Sequence, residues 1–398
     1  MFEILKIGIF LINPLNEGLG FSHRPYMLIK YLSLHKDVEL HVFTPHNEEV
    51  GKSQRVYFHR LGSNKFSENL YMIVRYLIKK RVFTSNFIYR LITLNVIIQR
   101  LAHSLREQLV KNPVDILQAE QDVPSAAAIL AKHFTEVPVA ADIHDLWAYE
   151  EIMCGRVDYG SSSYEAINSI IQNIMKESDL ILVGNELLKE VLRSRYGSKH
   201  SKLFISPNGG EIFRFNLAKR RKRIIYAGNF EKYENVDLLI EAVKYILEKD
   251  RTVEVSIFGK GPEEGNLRRL AKKLSLPNSI FGGFIQRKKL IPFLAESWVG
   301  AVPTRKKYAT PIKPFEYLSV GLPVVSIKGM WWSNIIEENN AGKTSVFDPK
   351  AFAEAILELL NSSDIDLLSK NALNIVRKKY NWYKITEELK TKYIELVS

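Results

Sequence analysis

Short, almost unbroken apolar runs, each stopped by a turn residue or a polar pair, recur along this chain and limit its fold more than any other feature. Ile4 to Ile12 ends at Asn13-Pro14, Pro138 to Ile143 ends at His144-Asp145, and Ile224 to Phe230 carries Gly228 at its end. Val38 to Phe43, Val114 to Gln118, Ser178 to Val183, Val253 to Phe258 and Val299 to Val302 are of the same kind. Runs without polar alternation are the mark of parallel strands covered on both faces. Between them lie segments with helical apolar spacing, among them Tyr26 to Leu34, Ser125 to His133, Asn185 to Tyr196 and Asp237 to Leu247. Strand and helix alternate through one half of the chain and restart at Ile224. This predicts an α/β protein of two doubly wound halves, with ligands at the carboxyl ends of the strands. A length of 398 residues fits two domains better than one.

Composition removes several classes. With 46% hydrophobic and 25% charged residues, extended disorder is not expected. Cys154 is the only cysteine, so no internal disulfide and no multi-cysteine metal site can form, as suits a reducing cytosol. The run at Ile4 is interrupted by Lys6, reads as no signal peptide, and is far shorter than the roughly 18 apolar residues a span requires. A cytoplasmic protein that meets a membrane only from its surface is therefore expected. The formal charge is +12, and between Gln54 and Lys111 eleven Lys and Arg stand against two acids. Tyr71 to Leu109 reads as two helices in which aromatic and aliphatic residues interleave with cations, a composition suited to an anionic headgroup layer. The same pattern fits a core-packed helix pair with a basic outer face. No nucleic-acid motif accompanies it, so nucleic acid is not an expected partner.

Thr310 to Val325, TPIKPFEYLSVGLPVV, reads as a loop, a helix opened by Pro314, a turn at Gly321 and an apolar strand. The backbone N–H groups near Ile312, with Lys313, would suit an anion such as a diphosphate. Glu316, about one turn on, offers the acceptors that a ribose diol needs. Pro311, Lys313, Glu316, Tyr317, Leu318, Gly321, Pro323, Val324 and Val325 together resemble the donor-binding helix of family 4 glycosyltransferases of the GT-B fold.

Further elements are similar to that family. Gly20, in the loop after the first strand, would let the backbone approach the donor phosphate, with Ser22, His23 and Arg24 nearby; a plain glycine turn is the other reading. His144 resembles the histidine that lies beside the donor sugar, although an isolated His-Asp is more often structural. Pro207-Asn208-Gly209 resembles the element that closes the first domain, with Gly210-Glu211 in place of the more usual valine-aspartate. Gly259 and Gly261 lie in a turn that the family uses near the nucleotide, and Gly283 lies in a segment that resembles its next strand, which passes the nucleobase. Two departures stand out. Where many members place an Arg after Gly228 and a Lys about six residues on, this chain has Asn229 and Glu234, and Lys232 or Lys313 would have to replace the missing charge. The acid expected eight residues before Glu316 is Tyr308.

The resemblance implies two Rossmann-like domains facing across a cleft: residues 1–213 for the acceptor, with a terminal helix at about 382–398 packing back on it, and residues 214–381 for the donor. It implies retaining transfer of a sugar from a nucleotide-sugar donor of the UDP or GDP type, with no cofactor and no metal. Catalytic roles fall to His144, Lys313 and Glu316. Donor binding falls to Gly20, Gly228, Asn229, Lys232, Gly259, Gly261, Gly283, Thr310, Pro311, Ile312, Lys313 and Glu316. The acceptor is expected to be lipid-linked or a glycan, met at the inner face of the cell membrane through residues 71–109. The alternatives are a GT-B nucleotide-sugar epimerase and a non-catalytic basic binding protein, since fold does not fix chemistry.

Overall fold

The structure, a computed structural model, describes residues 4–15, 20–46, 55–62, 87–197, 202–213 and 220–398. The chain divides into two compact units, Met1–Pro207 with Ile385–Ser398, and Asn208–Lys384. The division thus falls six residues before the expected 213/214 boundary, and at 384/385 near the chain's end.

The first unit is built on a parallel sheet of β1 (Leu5–Phe10), β2 (Val38–Thr44), β3 (Val56–Arg60), β4 (Ile116–Glu120), β5 (Val139–Ile143), β6 (Leu180–Val183) and β7 (Leu203–Ile205), in the order β3-β2-β1-β4-β5-β6-β7. The second holds β8 (Arg223–Ala227), β9 (Glu254–Phe258), β10 (Phe281–Gly283), β11 (Val299–Val302), β12 (Val324–Ile327) and β13 (Gly342–Ser345), all parallel, in the order β10-β9-β8-β11-β12-β13. The winding direction reverses between β1 and β4 and again between β8 and β11. These are the switch points at which doubly wound sheets open a crevice for ligands.

The apolar runs behave as two-sided strands. Along β8, Ile224 and Tyr226 enter one core cluster while Ile225 and Ala227 enter the other, so successive side chains serve opposite faces. Gly300 in β11 makes room for an aromatic ring: a Cβ there would stand 2.4 Å from Tyr317.

Three expectations change. Val114 to Gln118 was too early for β4, which runs to Glu120 and so brings Glu120 and Gln121 to the strand's carboxyl end. Gly20 is the first residue of the helix Gly20–Leu32 rather than part of a loop, and the preceding residues 16–19 lie outside those described. In the helix Phe87–Lys111, Ile97, Ile98, Ala102, Leu105 and Leu109 are buried and the helix packs on Asp122–Thr135, while Arg100 and Arg106 are exposed. The apolar stripe of this part is therefore core, as in the second reading of the basic segment. Residues 71–86 lie outside those described. Among the described residues, no helix is long and apolar enough to cross a membrane.

Candidate functional site

In the second unit, the helix of the Thr310–Val325 stretch spans Lys313–Ser319, opening one residue earlier than expected, with Pro314 in its first turn and no side chain capping it. Its seat is fixed by Tyr317, whose hydroxyl accepts the Ala227 N–H at 2.7 Å while its ring lies against Gly300. Asn208 donates to the Thr310 carbonyl at 2.6 Å, and Gly210 lies so close to the helix that a Cβ would stand 2.6 Å from the Phe315 oxygen. Asn208 and Gly210 thus prop this helix, and the glycine in place of valine follows from that contact.

Lys313 reaches from this helix to the carboxyl end of β8. A Cβ on Gly228 would stand 2.8 Å from its Nζ, so glycine is what admits the ammonium. Gly259 and Gly261 serve loop packing, since a Cβ on either would fall 2.0 Å from the Gly228 oxygen and 2.4 Å from the Phe230 oxygen, respectively. Gly283, at φ +68°, occupies the left-handed region, and a Cβ there would meet nothing within 4 Å. Thr310 is buried, Pro311 and Ile312 are half-buried, and Asn229 and Lys232 are exposed.

The Lys313 ammonium is engaged. It lies 2.6 Å from Glu234 Oε2, which also accepts from the Thr304 hydroxyl at 2.5 Å, and it stands over the Tyr226 ring at 5.3 Å. Glu234, the departure noted above, is therefore the buried counter-ion of Lys313. The local charge of this loop is balanced rather than strongly positive.

Glu316 is likewise held. Arg287 Nε donates to its Oε1 at 2.6 Å, and Arg287 Nη1 donates to Glu211 Oε2 at 2.6 Å. Burial alone would weaken the guanidinium's hold on its proton; the charges of Glu316 and Glu211 outweigh this and raise its pKa. Glu211, Glu234, Arg287 and Thr304 escape sequence reasoning because their partners lie up to 79 positions away, linked by the fold alone.

In the first unit, His144 follows β5 and is buried beside Glu120, Gln121 and Asp142. Its Nε2 lies 2.5 Å from the Gln121 amide nitrogen, and its Nδ1 faces Glu120 at 3.5 Å and Asp142 at 3.8 Å. Arg24, expected near phosphate, is 1% exposed and is committed to Asp142 through Nε at 2.9 Å and Nη2 at 3.0 Å. It also donates to the Pro207 carbonyl and to Ser206 Oγ, each at 3.1 Å. Gln118 donates to Asp142 at 2.9 Å and accepts from Tyr393 of the last helix, Trp382–Val397, at 2.7 Å.

Burial would raise the Asp142 carboxyl, but the Arg24 charge overrides it and holds the group down at about 2. Burial and the adjacent Asp142 charge push Glu120 well above its ordinary range. Glu120, Asp142 and His144 have ligand atoms within 4.8 Å of one another, the residue types of a cation site. Both Asp142 oxygens already accept from Arg24, so these residues do not fit a metal ion.

Asp122, in the next turn, is pushed up to about 7 by burial, with the Asp145 charge adding to it. Its proton leaves the unfolded chain near the ordinary carboxyl value and the folded chain only near 7, so stability is lost as pH rises through that window. Asp122→Asn is expected to flatten the fall in stability between about pH 4 and pH 7, by urea unfolding at each pH. An unchanged slope would show that Asp122 titrates normally.

Residues 221–362 match the model of the family described as glycosyl transferases group 1, so the second unit carries a domain of that type. The chain is 26% identical over 178 residues to an uncharacterized glycosyltransferase of Haemophilus influenzae, covering 44% of this chain and 50% of that protein. It is 24% identical over 245 residues to the colanic acid biosynthesis glycosyltransferase WcaL of Escherichia coli K12, covering 57% of this chain and 60% of that protein. The chain thus spans about half the length of the curated relatives it matches. Among solved structures, Anabaena HepE in complex with UDP and glucose superposes with a TM-score of 0.71 at 14% identity, over 98% of this chain and 99% of that one. Likeness at this level establishes the fold, two α/β units of the GT-B type.

Proposed function

We propose that the protein is a retaining glycosyltransferase of family 4 that moves a sugar from a nucleoside diphosphate sugar to a lipid-linked acceptor in glycan assembly. The observation that carries this reading is Lys313, a cation placed against Gly228 at the β8/β11 switch point within the matched domain. Lys313, with the N–H groups around Ile312, would stabilise charge developing on the departing diphosphate, which is electrostatic catalysis. Glu316, held by Arg287, would accept from the ribose hydroxyls, and His144 would orient the sugar. The bond from the anomeric carbon to the phosphate oxygen breaks, the acceptor oxygen bonds the same carbon from the same face, and its proton passes to the departing phosphate. The exposed Arg100 and Arg106 support contact with an anionic membrane surface on the cytoplasmic side, and the likeness to WcaL, a protein named for colanic acid biosynthesis, supports a polysaccharide pathway. UDP is the first nucleotide to test, because the HepE structure contains it.

Calorimetry against UDP, GDP, ADP and their sugar conjugates, for wild type and Glu316→Ala, tests the reading. Binding of one diphosphate at micromolar Kd, weakened at least tenfold in a variant that remains folded, is expected. Turnover of the donor sugar without an acceptor would favour the epimerase alternative, and no nucleotide binding by folded protein would refute the reading.

A further inference from the structure

Gln121 stands at the carboxyl end of β4, on the β1/β4 switch point, with φ +69° and ψ −176°. This region of backbone space is essentially glycine-only, and holding another residue there strains the backbone. The strain is fixed by Gln121 N–H donating to the Asp142 carbonyl at 3.0 Å and by Ser125 N–H donating to the Gln121 carbonyl at 3.0 Å. Gln121 precedes the first residue of the helix Asp122–Thr135, yet its side chain makes no capping hydrogen bond. Glycine would relieve the backbone, and a shorter polar residue would cap the helix. Neither need accounts for a glutamine.

Its amide is spent on His144, 2.5 Å from Nε2. An amide N–H₂ donates, so the imidazole nitrogen it meets must accept. The ring's proton then sits on Nδ1, which faces the carboxyl groups of Glu120 and Asp142. The hydrogen bond at one ring nitrogen decides which nitrogen carries the proton.

We propose that Gln121 is a positioning residue that fixes the ring of His144 with its proton on Nδ1, its own amide holding the Nε2 lone pair until a hydroxyl-bearing ligand displaces it. This rests on the reading of His144 as a sugar-orienting residue, but its central claim concerns the tautomer and is measurable without turnover.

The test is ¹⁵N NMR of the histidine rings in the full-length protein, with His144 assigned by its loss in His144→Ala. Wild type is expected to show the Nδ1–H tautomer. Gln121→Gly is expected to be at least as stable to urea as wild type while its His144 resonances move toward the Nε2–H form. Gln121→Glu, which places an acceptor at the same point, is expected to move the proton to Nε2 outright. An Nε2–H tautomer in wild type, or ring shifts unchanged in Gln121→Gly, would overturn the proposal. If the tautomer moves as expected but Gln121→Gly shows no loss of kcat in a donor-turnover assay, the positioning claim stands and the assignment of His144 to the sugar fails.

Discussion

Arg287→Met is expected to lower stability to urea by about 3–5 kcal/mol, because it strands two carboxylates, the buried Glu211 and the half-buried Glu316, that share one guanidinium. Their side chains are 10% and 12% exposed, so neither can recover its lost partner by simple hydration. The sign of a second variant separates ion pairing from packing. Adding Glu211→Gln and Glu316→Gln to Arg287→Met removes the stranded charges and should restore a large part of the loss, as neutral replacement of buried ion sets commonly does. A single-variant cost below about 1 kcal/mol would instead place these groups in effective contact with water.

Lys313→Met is expected to reduce kcat by about 10²–10³, the usual consequence of deleting one preorganised group that stabilises developing negative charge. The paired variant at Glu234 should act in the opposite direction. Glu234 Oε2 holds the Lys313 ammonium at 2.6 Å, so an incoming diphosphate competes with a carboxylate already in place. Glu234→Gln keeps the acceptor for Thr304 and removes the charge, and is expected to tighten diphosphate binding by about tenfold, or 1.4 kcal/mol. Measured by calorimetry, equal weakening in both variants would mean that Glu234 organises Lys313 rather than opposing its ligand.

The parallel strands and the helix Lys313–Ser319 were legible because they are local: an apolar run, a turn residue or a proline at a helix start declares itself within a few positions. What surrounds Lys313 and Glu316 was not. Glu234 read as a departure from a lysine pattern, and only its contact with Lys313, 79 positions away, gives it a role. Arg287 sat in an unremarkable basic run, yet it joins Glu211 to Glu316. The first unit shows the same limit. Arg24 was placed near phosphate by its neighbours in sequence, whereas the fold buries it against Asp142, 118 positions on. Gln121 carried no sequence signal, since its meaning lies in a backbone angle and in a ring 23 positions away.

Tyr393 has a consequence for how the chain comes to be folded. Its hydroxyl closes the line of hydrogen bonds through Gln118 to Asp142, and it lies 275 positions beyond Gln118. On the ribosome, the first unit therefore emerges with its polar interior unfinished, while the second, a continuous stretch from Asn208 to Lys384, is complete before it. Domains usually mature in the order of synthesis. Here the order is expected to invert: the second unit can settle first, and the earlier-made unit waits for the helix Trp382–Val397 to supply Tyr393.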